Sequence, residues 1–379
     1  MLTNTSVTGA AGVLDRLQQS QSPERRARNE LIRQIEQAYV PNERDDKLQV
    51  ALDEVVDAHV RHFEARLDGA HRNVGSLAEG RLLAVVGHSG AGKTRLLERH
   101  FHHRPEFHGY GTSNCLLISV KAQGPFALSG LARSIAVAAG VKVRKAFHNR
   151  DAAFQFARDQ VEDRIIIIHI DEAQLLLSSP KEEEIQSARN LLRTFCQESK
   201  WPVSVILSGT PETSKLFGDY QIARRQTIIT LDEIDFQSGV PILQSAMNDF
   251  LKKASLAEAL DRGLLFEQLM YASLYQLGDS IAIMRAAFSH AIRENSGTLK
   301  VEHFAAAFHD RTSCPADLNV FGDEVDYRTI DVAKLYEQAR GKRARKTPDT
   351  VMEAMPASTA AVQPTDPVGV RKLRVERKK

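Results

Sequence analysis

The chain has 379 residues, 42 % hydrophobic and 26 % charged, with a formal net charge of +2. That length points to two or three domains, or one large and one small, with an ordinary globular composition. No apolar run approaches the ~18 residues of a membrane span, and the first twenty residues lack a basic-then-apolar export signal. Cys115, Cys196 and Cys314 lie far apart and cannot all pair, which fits a reduced intracellular protein without a disulfide framework.

Residues 1–22 are polar and rich in Ser, Thr and Gln, and read as flexible or lightly packed. Helical spacing follows over 24–39, with Leu31, Ile32, Ile35 and Tyr39, until Pro41 stops it. A second helix is predicted from Asp46 to about Arg66, lining up Leu48, Leu52, Val55, Val56, His59 and Phe63. These helices make an N-terminal appendage, 23–74. Five short apolar runs then read as buried strands: Leu82–Val86, Cys115–Val120, Ile165–Ile170, Val203–Ser208 and Thr227–Leu231. Between them lie helical stretches at Lys93–His102, Leu128–Ala139, Asp151–Val161 and Glu182–Ser199. Strands alternating with helices predict an α/β domain with a mainly parallel sheet flanked by helices, placed at 75–235.

Residues 236–312 carry no convincing strand and read as a small all-helical lid, with helices at Pro241–Lys252, Leu264–Tyr275, Ser280–Glu294 and Val301–Phe308. A linker with a short helix follows at 313–339. Residues 340–379 hold eleven Lys/Arg against four Asp/Glu, a net of +7, so the preceding 339 residues carry −5. With four prolines and no aromatic residue, this basic tail reads as disordered.

The stretch Gly87-His88-Ser89-Gly90-Ala91-Gly92-Lys93-Thr94 fills every fixed position of a Walker A loop, and it follows a predicted strand and opens a helix. Its glycines let backbone amides curl around a phosphate, and the helix N-terminus adds a favourable dipole. Lys93 is expected to reach the β- and γ-phosphates of ATP, and the Thr94 hydroxyl to hold Mg²⁺. Arg95 is grouped with the loop as a nucleotide contact.

Asp171 and Glu172 close the run IIIIHIDE, 78 residues after Lys93. A carboxylate at the end of a buried parallel strand sits at the ligand edge of the sheet. Asp171 is expected in the Mg²⁺ shell and Glu172 to orient the attacking water. The intervening strand predicts that the two motif strands are not neighbours, which favours an ATP-hydrolysing switch or motor over a small-molecule kinase. In VSVILSGTPE, Ser208 or Thr210 is placed to face the γ-phosphate, with Thr210 preferred. Arg224 or Arg225 is placed to reach a neighbouring subunit's ATP.

The order GHSGAGKT, IIIIHIDEAQ, SVILSGTPE, ARRQ and an all-helical segment, with the lead-in QAYVPNERDDKLQVALDEV, resembles the AAA+ ATPases of the TniB/TnsC type over about residues 25–310. That resemblance implies a P-loop NTPase of the AAA+ type that binds ATP and Mg²⁺ and hydrolyses ATP. It also implies a homo-oligomer, ring or helical filament, on double-stranded DNA with little sequence preference. It implies a separate DDE-type transposase as partner, a targeting adaptor or RNA-guided complex, and a bacterial, cytoplasmic setting at the nucleoid when on DNA. Two other classes remain: a replication initiator or helicase loader, and a signalling or defence switch. One departure stands out. Initiator-type relatives often carry an arginine in a Gly-Asp-x-Arg turn of the lid, and here Gly278-Asp279-Ser280 is followed by Ile281. Arg285, one turn on, either substitutes for that arginine or is an ordinary surface residue, the second reading being preferred.

Candidate DNA contacts are Lys121, Lys142, Arg144, Lys145 and Arg150, which would grip phosphates in a salt-sensitive way. The basic tail could bind DNA, dock on a partner or only solubilise the chain. His100, His102, His103 and His108 lack a zinc spacing.

Overall fold

The computed structural model describes residues 4–67, 80–122, 128–143, 155–157, 159, 167–178, 182–197, 202–217, 226–322 and 325–344. Its centre is a five-stranded sheet of β1 (Leu82–Val86), β2 (Leu117–Lys121), β3 (Ile167–Asp171), β4 (Ser204–Gly209) and β5 (Gln226–Thr230). All pairings are parallel, and the order is β2-β3-β4-β1-β5. β4 therefore separates the strand that leads into the Walker A loop from the strand that ends on Asp171, as the intervening apolar run predicted.

Side chains alternate across each strand, so the sheet feeds two cores. Leu82, Ala84, Val86, Ile168, Ile170, Val205 and Leu207 pack on one face. That face is covered by α5 (Leu128–Ala138) and by α6 (Glu182–Gln197), which buries Ala188, Leu192 and Phe195. Leu83, Val85, Ile167 and Ile206 pack on the other. There α3 (Glu43–Leu67) brings Leu48, Leu52 and Val55, and α4 (Lys93–His103) brings Leu97 and Phe101.

The lid is built on α7 (Phe236–Ala254), α8 (Arg262–Ala272), α9 (Leu277–Arg293) and α10 (Val301–Thr312). α7 begins before Pro241 because Asp235 and Ser238 form a reciprocal capping box that fixes the first turn upstream of the proline. Two two-residue strands, β6 (Ala257–Glu258) and β7 (Thr298–Leu299), pair in parallel inside a region where no strand was expected.

Residues Asn4–Gln19 form a helix, α1, whose residues from Gly12 to Gln19 are exposed. Two expectations need correction. The N-terminal helices are not one appendage. α2 (Pro23–Gln37) buries Ile32 and Ile35 in the lid core, whereas α3 belongs to the sheet. The segment after α10 is not a bare linker either. Val320, Phe321, Tyr327 and Ile330 fill the lid core, and α11 (Val332–Ala344) adds Val332 and Leu335. From 345 onward the basic tail lies outside the described residues.

Candidate nucleotide site

β1 ends at Val86, and the loop 87–92 carries the chain to the first turn of α4. Gly90 and Gly92 hold φ values of 88° and 96°, left-handed conformations that side chains resist. No side chain caps α4, so its first amides are left to serve an anion. Lys93 Nζ donates to the carbonyls of Gly87 and His88, at 2.7 and 3.0 Å, which lays its ammonium along the loop. Burial lowers the Lys93 pKa, while Glu172 and Asp171 oppose that fall by favouring the charged form.

An open cleft of about 380 Å³ lies over this loop. Ser89, Gly90, Ala91, Gly92, Lys93, Thr94 and Arg95 line it, and Glu172 and Thr210 face it from the ends of β3 and β4. The sheet thus brings the expected lysine, hydroxyl, carboxylate and sensor residue to one edge. Asp171 closes β3, paired in register with Lys121 of β2. The Thr94 hydroxyl and the Asp171 carboxylate are hard oxygen donors beside an anion-binding loop, a set that fits Mg²⁺.

Glu172 adopts a left-handed backbone, φ 56° and ψ 39°, which turns the chain out of β3. Its Oε2 accepts from Gln174 Nε2 at 2.5 Å, and Gln174 Oε1 accepts from the Thr210 amide at 3.1 Å. One glutamine therefore links the carboxylate to the sensor loop. Lys121 Nζ stands 4.0 Å from Glu172 Oε1 and is largely exposed. Ser208, the other sensor candidate, is fully buried and donates to Asp171 Oδ1 at 2.5 Å. It does not face the cleft.

The far end of the cleft comes from residues that sequence reasoning missed. Tyr39, Val40, Asn42 and Arg44, between α2 and α3 and at the start of α3, line one side. Leu277, Gly278, Asp279 and Ile281 of the lid line the other. Pro41 marked the helix stop in the sequence, but nothing there indicated that the stop lies on the nucleotide loop. Arg44 donates to the Ala91 carbonyl at 3.0 Å and to that of Asp232 at 2.5 Å, binding the N-terminal segment to the loop. The lid touches the loop directly: the Asp279 amide donates to Gly90 O at 3.0 Å, and Arg311 pairs with Asp279 at 2.5 Å.

Arg285 is not a surface residue. It is half-buried in the cleft wall, donates to Ala38 O at 2.7 Å and lies 5.7 Å over the Phe250 ring. Burial, aided by the nearby Arg95, pushes its pKa down to about 10. Arg95 donates to the same carbonyl at 3.1 Å and to Glu36 O, so both arginines hold the C-terminal end of α2. Arg224, Arg225, Arg144, Lys145 and Arg150 lie outside the described residues; Lys142 is described and exposed.

Residues 77–217 match the family model described as an AAA domain. No curated protein matches the chain significantly. Among solved structures, the Aeropyrum pernix ORC1 protein in complex with DNA is similar at 16 % identity, covering 84 % of this chain and 80 % of that one, with a TM-score of 0.50. The Cdc6p of Pyrobaculum aerophilum gives 12 % identity, 81 % and 83 % coverage and a TM-score of 0.48. At such identities the likeness concerns the fold alone. Together with the sheet order and the Walker A loop, it makes this a P-loop NTPase fold of the AAA+ type, with a mainly parallel sheet followed by a helical lid.

Proposed function

We propose that this protein is an ATP-hydrolysing AAA+ switch whose nucleotide state governs its assembly on duplex DNA. The observation that carries the reading is the composition of one cleft: Walker A loop, Glu172, Thr210, the N-terminal segment and the lid all meet there. A ligand held by all of them would bind sheet and lid at once, so its identity can set the angle between them.

In this reading the loop amides and Lys93 hold the phosphates, and Thr94 and Asp171 hold Mg²⁺, which neutralises phosphate charge when bound. Glu172 accepts the hydrogen bond of a water and orients it for attack on the γ-phosphorus, yielding ADP and phosphate. Thr210 faces the transferred group, and Gln174 keeps Thr210 and Glu172 in fixed relation. Arg224 or Arg225 supplies a cation to a neighbouring subunit's site. Assembly as a homo-oligomer is part of this proposal.

The DNA part has support of a different kind. The similar Aeropyrum pernix ORC1 structure is described as a complex with DNA, which favours an initiator- or loader-like role. Target marking for a separate DDE-type transposase rests on the motif resemblance alone. The family model and the solved structures named above do not carry the names of that group. The two roles share the ATP-gated assembly on DNA and differ in the protein recruited. Purified protein tested for DNA-stimulated ATP hydrolysis checks the shared part. Hydrolysis lost in Glu172→Gln, with DNA binding retained, is the expected result. An active enzyme with no affinity for DNA would turn the reading toward a protein-directed switch.

A further inference from the structure

A polar chain crosses the sheet face beneath α4. Ser119, His169 and Ser208 sit on β2, β3 and β4 at positions alternating with residues of the opposite core, so all three point to this face. Ser119 Oγ lies 2.8 Å from His169 Nδ1, His169 Nε2 lies 2.9 Å from Ser208 Oγ, and Ser208 Oγ lies 2.5 Å from Asp171 Oδ1. His169 is 4 % exposed and Ser208 0 %, with the Phe101 ring 5.2 Å from the imidazole.

The direction of every proton follows from one end. The Asp171 carboxylate can only accept, so Ser208 donates to it. Ser208 has then spent its proton and accepts from His169 Nε2–H. A neutral imidazole has one N–H and one lone pair, and the Nε2–H is already spent on Ser208. Its Nδ1 therefore carries a lone pair and accepts from Ser119. Two buried polar groups, His169 and Ser208, are satisfied in one consistent sense between the exposed Ser119 and the half-buried Asp171, which an apolar replacement at either would break. Ser208 is no nucleophile, since nothing can reach it.

We propose that Ser208, and His169 acting through it, are positioning residues for the metal–nucleotide complex: they hold Asp171 by Oδ1 and leave Oδ2 for the metal's shell. This rests on the reading of Asp171 as the Mg²⁺ carboxylate. Outer-shell partners of metal ligands typically change metal affinity ~10–100-fold when removed.

The test uses the full chain and a matched pair, Ser208→Thr and Ser208→Val. Each adds the same steric bulk, and only the first keeps a hydroxyl. Binding of a fluorescent ATP analogue is titrated with Mg²⁺ and repeated in EDTA, with thermal melting as a check on folding. Ser208→Val is expected to need about tenfold more Mg²⁺, Ser208→Thr is expected to match the parent, and affinity in EDTA is expected to be equal in all. His169→Gln, which offers both a donor and an acceptor, is expected to outperform His169→Leu in the same titration. Independently, ¹⁵N NMR of histidine-labelled, nucleotide-free protein, assigned with the His169→Gln variant, is expected to show His169 protonated on Nε2. Equal Mg²⁺ dependence in the Thr and Val variants, or protonation on Nδ1, overturns the proposal. A parent chain that binds no Mg²⁺-nucleotide instead removes the reading beneath it, while the tautomer still judges the hydrogen-bond chain by itself.

Discussion

Glu172 and Gln174 illustrate how much chemistry rests on single residues here. The carboxylate leaves β3 on a left-handed residue and is held at 2.5 Å by a glutamine that also accepts from the sensor-loop amide. Replacing Gln174 with Leu keeps the volume and frees Glu172 to rotate toward Lys121. We expect kcat to fall about 10–100-fold with ATP affinity within about twofold, since an orienting group acts on the attacking water and not on the bound phosphates. Steady-state kinetics beside a nucleotide titration measures both. Glu172→Gln itself is expected to lose about 10²–10⁴ in rate and retain binding.

His59 offers a pH test. It is buried and bonded to Ser204 at 2.8 Å, and burial, with His62 adding, lowers its pKa from 6.5 to about 4. The folded state keeps it neutral where the unfolded chain takes up a proton, so stability is full above pH 6.5 and declines as pH falls toward 4. The loss over that window is about 3 kcal/mol from this residue. Urea denaturation at pH 7 and pH 4.5 should show a smaller difference for His59→Gln than for the parent.

Among the elements, α9 touches the Walker A loop directly, through the Asp279 amide and the close approach of Gly278. A Cβ on Gly278 would lie 2.5 Å from Gly90 O and 2.8 Å from Gly92 N, so even alanine has to push the lid off the loop. Gly278→Ala is expected to weaken ATP binding about tenfold or more while leaving the melting temperature within a few degrees, because the clash strains one contact and exposes no core. Truncation separates the N-terminal helices in the same way. Removing residues 1–21 deletes only α1, whose side chains from Gly12 to Gln19 are exposed, and should leave the melting temperature unchanged. Removing 1–42 strips Ile32 and Ile35 from the lid core and should destabilise it strongly.

The Walker A loop, the strand interiors and the separation of β1 from β3 were all legible in sequence. Their signals are local: a fixed glycine spacing and short apolar runs. What was not legible depends on tertiary contact. Tyr39–Arg44 shows only a proline stop, yet it lines the cleft because α2 packs on the lid and α3 on the sheet. Arg285 looks like any helical arginine until Ala38 and Phe250 close over it. Ser208 and Thr210 both qualify by proximity in the chain, and strand alternation with the turn after β4 sends the first inward and the second to the cleft.

In the molecule as a whole, the N-terminal segment joins sheet and lid around one cleft. α2 rides with the lid, α3 with the sheet, and the segment between them touches the ligand cleft. A change of nucleotide is thereby expected to alter the surface offered to a neighbouring copy, and through it the grip on DNA. Among the described residues no helix is long and apolar enough to cross a membrane. Duplex-DNA binding by the purified chain is decisive, measured with ATP, with ADP and without nucleotide, beside Glu172→Gln, with particles imaged from the same samples. Rings or filaments are expected on DNA only with ATP, and are expected to persist in Glu172→Gln. DNA binding and particle size indifferent to nucleotide would contradict that expectation.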